Sequence, residues 1–448
     1  MRALLLLLLA VALLGAGCLA RPTTTPIPTA TAVSLPTPTV SPSPSPAAPD
    51  ASGLEAALAE IAGHVPRLRG RDFTGPVPRF FVDEAGLRRE LEREFDKPDN
   101  REIMAREEAL YKALGLLERS TDYPQLNLAL YTEQVLGFYD TEGQRLVVVQ
   151  RGAGFSPLDK ITFAHELAHA LQQQHFDINR LIEGAKRQRD ASLALSALLE
   201  GDAVLLQSQY MTAALTRDEQ AEFFREAGRI PTPVFESAPA VVRESLQFPY
   251  QTGNSFVASV FRSGGWVAVD RLYSRPPAST EQVLHPQKYI LDERPKEVAL
   301  PDPAVALGDG AWRRLDTDTL GEFYLSRYLG RRLDDATATA AAAGWGGDRY
   351  EVWSAGAGQE SFLLLTDWDS NYDAQEFFAA YSAFAEAEGG PSSRSPGGAG
   401  PGPLSGARVQ WSSSAGQVFL GLRGTQVLLL RATDASLLSS LLPLFAGF

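Results

Sequence analysis

His165-Glu166-Leu167-Ala168-His169, running on without a break through ALQQQH to His175, places three of the chain's five histidines within eleven positions. On a helix advancing about 100° per residue, positions four apart lie roughly 40° round the axis and about 6 Å along it. His165 and His169 can therefore present their imidazoles to one ion, and nitrogen ligands at that spacing suit zinc. Glu166 stands beside the first, where a carboxylate can take a proton from metal-activated water and pass it to a leaving amine. The pattern is that of a helix-borne zinc site with its general base alongside.

The flanks agree with a helix. Asp159 lies in a turn after Pro157, and Ile161, Phe163, Ala164, Leu167, Ala168 and Leu171 make an apolar surface broken only by the two histidines and the glutamate. Polar groups set into an apolar face need partners. A catalytic zinc takes three protein ligands and keeps one open position, so a third ligand is required. His175 follows His165 by ten residues, as in H-E-x-x-H-x-x-G-x-x-H, but Gln172 stands where that pattern has its helix-breaking glycine. If the helix runs on, His175 lies about 120° round from His169 and points away. Glu200, in the otherwise apolar helical stretch SLALSALLEGDAVLLQ, is a lone buried carboxylate that demands a cation. Glu200 is the favoured third ligand and His175 the alternative.

These residues resemble the gluzincin type of zincin metallopeptidase, in which two helices supply H-E-x-x-H and a downstream glutamate. The chain is also similar to a group of bacterial exported zinc peptidases whose site helix reads like HELAHALQQQHFD, and it carries VLGFYD (135–140), LLEGDA (198–203), FPYQTGNSFV (248–257), PPASTEQVLHPQKY (276–289) and GWGGDRY (344–350). The interval from His169 to Glu200 is longer than in well-known gluzincins. The resemblance implies a zinc-dependent endopeptidase acting on peptide or protein substrates. It also implies that the β-hairpin expected around DTEGQ, from apolar runs at 135–139 and 145–149, offers an edge strand to extended substrate.

A donor is needed to steady the oxyanion of such a reaction. Tyr250, in a segment where Pro249 and Gly253 suggest a shaped loop at a helix start, and His285, before Pro286, are the candidates.

Met1-Arg2, the apolar run to Leu14 and the small residues before Cys18 form a signal peptide (1–18), with Cys18 at a lipoprotein-type processing position. Cys18 is the only cysteine, so no disulfide forms within the chain. Residues 19–51, nearly all Pro, Thr, Ser and Ala, form a tether too poor in apolar groups to fold. The expectation is export to the cell envelope with a lipid anchor in a membrane. Beyond the tether the sequence reads as α+β: a mostly helical zincin-like domain with a small sheet (52–303), then a smaller α+β module (304–448) holding a flexible loop at 389–406. With 54 acidic against 41 basic residues, a formal charge of −13 and no basic stretch interleaved with aromatics, nucleic-acid binding is excluded. The competing function class is an envelope binding or scaffold protein that keeps the fold without catalysis.

Overall fold

The computed structural model describes residues 51–149, 155–308, 311–356, 358–389, 394–396, 407–413 and 416–448. Cys18, the signal segment and nearly all of the tether lie outside the described residues, as does most of the 389–406 segment. Among the described residues no helix is long and apolar enough to cross a membrane. The architecture is mixed α and β, with helices predominating and two separate sheets.

The first sheet has three strands, β1 (Arg79–Val82), β2 (Gly137–Asp140) and β3 (Arg145–Val149), in the order β1-β3-β2. β2 and β3 are the hairpin expected from the sequence. Its turn is tied by Asp140 Oδ1, which accepts from the Glu142 and Gly143 amides. β1 joins β3 in parallel, leaving β2 at an edge. Val149 donates its amide to the Leu136 carbonyl. Alternation along an antiparallel ladder then turns the Gly137 and Tyr139 amides away from β3.

The second sheet is built from β4 (Arg313–Asp318), β5 (Trp345–Gly356), β6 (Gln359–Trp368), β7 (Arg394–Pro396), β8 (Ala407–Ser413), β9 (Gly416–Arg423) and β10 (Gln426–Ala432). All neighbours are antiparallel, in the order β4-β5-β6-β10-β9-β8-β7. The runs FLLL in β6 and VLLL in β10 are apolar throughout because both faces are covered. Leu364 and Leu429 join the core that includes Phe377, Tyr381 and Phe384 of the helix Asn371–Gly389; Leu363, Leu365, Leu428 and Leu430 pack with Leu438 and Leu441 of the helix Ala435–Leu441. Two strands depart from expectation. β4 reads RRLDTD and shows no apolar alternation, since its Asp316 and Asp318 face arginines instead. β7 falls within the segment read as a flexible loop, and Pro396 is tolerated there because the strand is at the sheet edge.

Three helices frame the site. The HELAH helix spans Pro157–Phe176; Ser156 and Asp159 cap it reciprocally, with Pro157 at its first turn. The turn read at Asp159 is thus the helix's own first turn. The glutamate helix spans Arg189–Ala214, and the kinked helix spans Ala240–Ser274, interrupted at Gly264–Gly265. Here the sequence reading is corrected, because Pro249, Tyr250 and Gly253 belong to the interior of the kinked helix and not to a loop at a helix start. Gly253 serves close packing: a Cβ on it would sit 2.3 Å from the Ala197 carbonyl oxygen, and one on Gly201 would sit 2.3 Å from the Gly253 carbonyl oxygen. The two glycines let these backbones touch, which sets Glu200 and Tyr250 in place.

The glutamate helix also joins two cores. Ala194, Leu195, Ala197, Leu198 and Leu199 belong to the large core shared with the kinked helix and the seven-stranded sheet, whereas Ala203, Leu206 and Tyr210 pack with the HELAH helix and the three-stranded sheet. Glu200 sits at the junction.

Candidate metal centre

His165 and His169 project from successive turns of the HELAH helix and meet Glu200 of the glutamate helix. All three are buried, and their ligand atoms lie within 4.8 Å of one another. Glu200 Oε2 is 3.3 Å from His165 Nε2 and 3.5 Å from His169 Nε2. Atoms bound tetrahedrally to one zinc at about 2.0–2.1 Å stand roughly 3.3 Å apart, so these gaps suit a shared ion.

The outer nitrogens are held by amides. His165 Nδ1 lies 2.7 Å from Gln207 Oε1, and His169 Nδ1 lies 2.8 Å from Gln172 Oε1. Gln172 Nε2 in turn donates to the Leu199 carbonyl at 2.9 Å. An amide oxygen only accepts, so each imidazole carries a proton on Nδ1 and turns Nε2 inward. In neutral His165 the Nε2 lone pair then faces a carboxylate oxygen, acceptor against acceptor, which calls for a proton or a cation between them.

The electrostatics follow from burial and from Glu200. Burial lowers His165 below the ordinary histidine value, and the Glu200 carboxylate, which accepts from it when it is protonated, does not make up the difference. For His169 burial works the same way, but the Glu200 carboxylate outweighs it and raises the group to about 9. Burial would push Glu200 up, yet the His169 charge and both imidazole contacts hold it down at about 2. At 3.5 Å from Glu200, His169 Nε2 makes no hydrogen bond and is a buried polar atom left without a partner.

Glu166 is the group left over. Both of its carboxyl oxygens are buried without a hydrogen-bond partner; the Tyr139 main-chain amide on β2 approaches without making a well-formed bond. Burial raises its pKa to about 8, with His169 opposing and Glu200 adding to the shift. The β2 backbone lies directly against it, since a Cβ on Gly137 would be 3.5 Å from Glu166 Cγ. A buried carboxyl with no partner, at a strand edge and beside converging ligands, is placed to exchange a proton with something that enters. On the other side Tyr250 stacks over His165, with ring centroids 6.4 Å apart and planes 27° from parallel.

The remaining candidates are placed elsewhere. The HELAH helix does run on, and His175 bonds through Nε2 to the Asp72 carbonyl at 2.8 Å, which rules it out as the third ligand of this group. His285 caps the boundary between two short helices and lies 2.9 Å from Glu322; it is not brought to the His165 group, because that buried carboxylate holds it. Among the described residues a second set, Glu281, Glu293 and Asp369, also converges. There Lys288 pairs with all three carboxylates, so an ammonium already occupies the position an ion would take. Asp202, two residues after Glu200, turns away to form a two-pronged salt bridge with buried Arg69 at 3.0 and 2.9 Å and to accept from Tyr273.

Gln172 and Gln207 were missed by sequence reasoning, although a signal was present. Gln207 follows Glu200 by seven residues and Gln172 follows His169 by three, which puts each on its neighbour's helix face.

Comparisons with known proteins bear on a different part of the chain. Residues 311–442 match a family described only as a domain of unknown function, DUF8575. That stretch covers the seven-stranded sheet and contains none of the metal-centre residues. No curated protein and no solved structure matches the chain.

Proposed function

We propose that this protein is a zinc-dependent endopeptidase of gluzincin type, working at the cell envelope on the end of a lipid-anchored tether. The observation that carries the reading is the buried meeting of His165, His169 and Glu200 beside a partnerless Glu166. Two imidazoles and a carboxylate are a donor set that catalytic zinc takes. Bound there, zinc supplies Lewis acidity, lowering the pKa of water and polarising a carbonyl.

The chain's own residues do the rest. Glu166, raised to about 8 without a cation, would be ionised by the charge of an ion beside it and would then take the proton of the attacking water and hand it to the departing amine. Gln207 and Gln172 fix the imidazole planes. The edge of β2, with the Gly137 amide turned away from β3, gives an extended peptide a strand to pair with, next to Glu166. Tyr250, over His165, is the candidate to steady negative charge on the carbonyl oxygen. His285 has no part in this reading.

The test is metal analysis together with digestion of a denatured protein pool by wild type and by Glu166→Gln. The expected result is about one zinc per chain in both proteins, with cleavage lost in the variant. Zinc-loaded wild type that cleaves nothing in a Glu166-dependent way would favour the binding or scaffold class instead.

A further inference from the structure

The first turn of the glutamate helix is held by the part of the chain that carries the seven-stranded sheet. Gln188, just before the helix, gives it no side-chain cap. Asp318 at the end of β4 does so instead, its Oδ2 accepting from the Arg189 amide at 3.1 Å. Asp316, two residues earlier on the same strand, accepts from Arg189 Nη2 at 3.0 Å. From another side the Asp190 carboxylate accepts from the Thr280 amide at 3.1 Å and from the Thr280 hydroxyl, whose oxygen accepts from the Phe323 amide of the helix Gly321–Leu329 at 3.3 Å. Gly321, at φ +73°, comes so near that a Cβ on it would fall 1.9 Å from Asp190 Oδ1. Arg189, Asp190, Asp316 and Asp318 are all buried.

Buried ion pairs add little net stability over apolar packing, and their best-attested use is to fix one register out of several. Here the register matters to Glu200. It lies eleven residues after Arg189, roughly 16 Å along a stiff rod. Ligands of one zinc must keep their distances to it within about 0.2 Å, whereas a slip of one residue moves a helix by about 1.5 Å. The contact of Gly201 with Gly253 sets how closely the glutamate and kinked helices approach; the contacts at the first turn oppose sliding and rotation. Between these two points Ala194, Leu195 and Leu198 share a core with Leu320, Tyr324 and Leu325, so the same neighbour supports the rod along its length.

We infer that Asp316 and Asp318 of β4 are positioning residues for the metal centre: the sheet that carries them holds the start of the glutamate helix so that Glu200 meets His165 and His169 at distances one ion can span. The inference rests on the proposed metal reading and adds to it a role for the C-terminal sheet. Neither aspartate belongs to the converging ligand group; both act through the helix. Coupling of this kind is reciprocal, so a loaded metal centre also holds the helix start more firmly against the sheet.

The experiment uses the full chain, with zinc affinity read by chelator competition and ligand geometry read from the visible spectrum of the cobalt-loaded protein. Asp318→Ala, in protein that circular dichroism shows to be folded, should weaken zinc binding at least about fivefold and alter the cobalt spectrum. Leu438→Ala, in the helix on the opposite face of the same sheet, should lower the denaturation midpoint but leave zinc affinity at the wild-type value. If Asp318→Ala does not fold, Thr280→Val takes its place, because it removes the hydroxyl that joins Asp190 to the Phe323 amide. A folded variant with wild-type zinc affinity or an unchanged cobalt spectrum overturns the inference, since the contacts are then merely structural. An equal loss of affinity in Leu438→Ala overturns it too, by making the stability of the sheet the cause. A wild-type chain that binds no zinc sinks the metal reading itself, so the two failures are distinguishable.

Discussion

His165 reaches Gln207 across the interface between the HELAH and glutamate helices, Nδ1 to Oε1 at 2.7 Å, with both residues buried. The contact fixes the tautomer that leaves Nε2 free for a metal, and it comes from the helix that also delivers Glu200. One helix therefore supplies a ligand and aims another. A neutral amide in that position, where zinc sites often have a carboxylate, orients the imidazole without adding negative charge.

Gln207→Ala should accordingly weaken zinc binding by about 10–100-fold while leaving the fold intact. Competition against a chelator of known affinity gives the number. Unchanged affinity would show that the surrounding packing alone sets the ring orientation.

Tyr250→Phe tests the oxyanion assignment. It keeps the ring over His165 and removes only the hydroxyl, so zinc content should hold while kcat falls by about 10²-fold with KM little changed. A wild-type kcat in the variant would remove Tyr250 from the reaction.

The centre was legible because its information is local. Four-residue spacing puts His165 and His169 on one helix face, and a lone glutamate in an apolar run marks Glu200 as needing a cation. The hairpin was legible from two apolar runs flanking DTEGQ. The β6 and β10 strands carry unbroken apolar runs because both of their faces are buried. What escaped depends on distant partners. Gly253 reads as a loop former until Ala197 and Gly201 are known to lie against it. β4 has no strand pattern of its own, since its aspartates answer Arg106 and Arg189. Nothing near Asp202 in sequence announces Arg69, 133 positions away.

Gly253→Ala should be among the most damaging small substitutions in the protein. The added methyl would meet the Ala197 carbonyl oxygen at 2.3 Å, backbone that cannot swing aside. The helices must part, at a cost of about 1–3 kcal/mol or more, and zinc affinity should fall with stability because Glu200 and Tyr250 ride on the two helices. Denaturant unfolding and chelator competition check both halves. A stable variant with normal zinc binding contradicts the packing argument.

The Arg69–Asp202 pair makes a separate prediction. Arg69→Met would leave Asp202 buried with only Tyr273 donating to it, a loss of about 3–5 kcal/mol. Replacing both partners with apolar residues of similar volume should recover most of that loss, because the Asp202 charge is then gone and Asp270, which also pairs with Arg69, keeps Arg71 at 2.6 Å. Comparing the single and double variants by denaturant unfolding measures the difference; equal destabilisation in both would mean that lost packing dominates, not the stranded carboxylate.

Acidity links the metal-free and metal-loaded states. In the metal-free protein His169 is raised to about 9 and Glu166 to about 8, so at pH 7 both carry protons, while His165, lowered, does not. A raised histidine contributes stability that is fully present below its unfolded value of about 6.5 and is lost as pH rises through about 9. The metal-free protein should therefore lose stability across that window. Zinc needs the His169 nitrogen bare, and its charge favours ionised Glu166, so binding at pH 7 should release about one to two protons and weaken as pH falls. Titration calorimetry in buffers of different ionisation enthalpy counts those protons directly. A count of zero would mean that His169 is already neutral before the ion arrives.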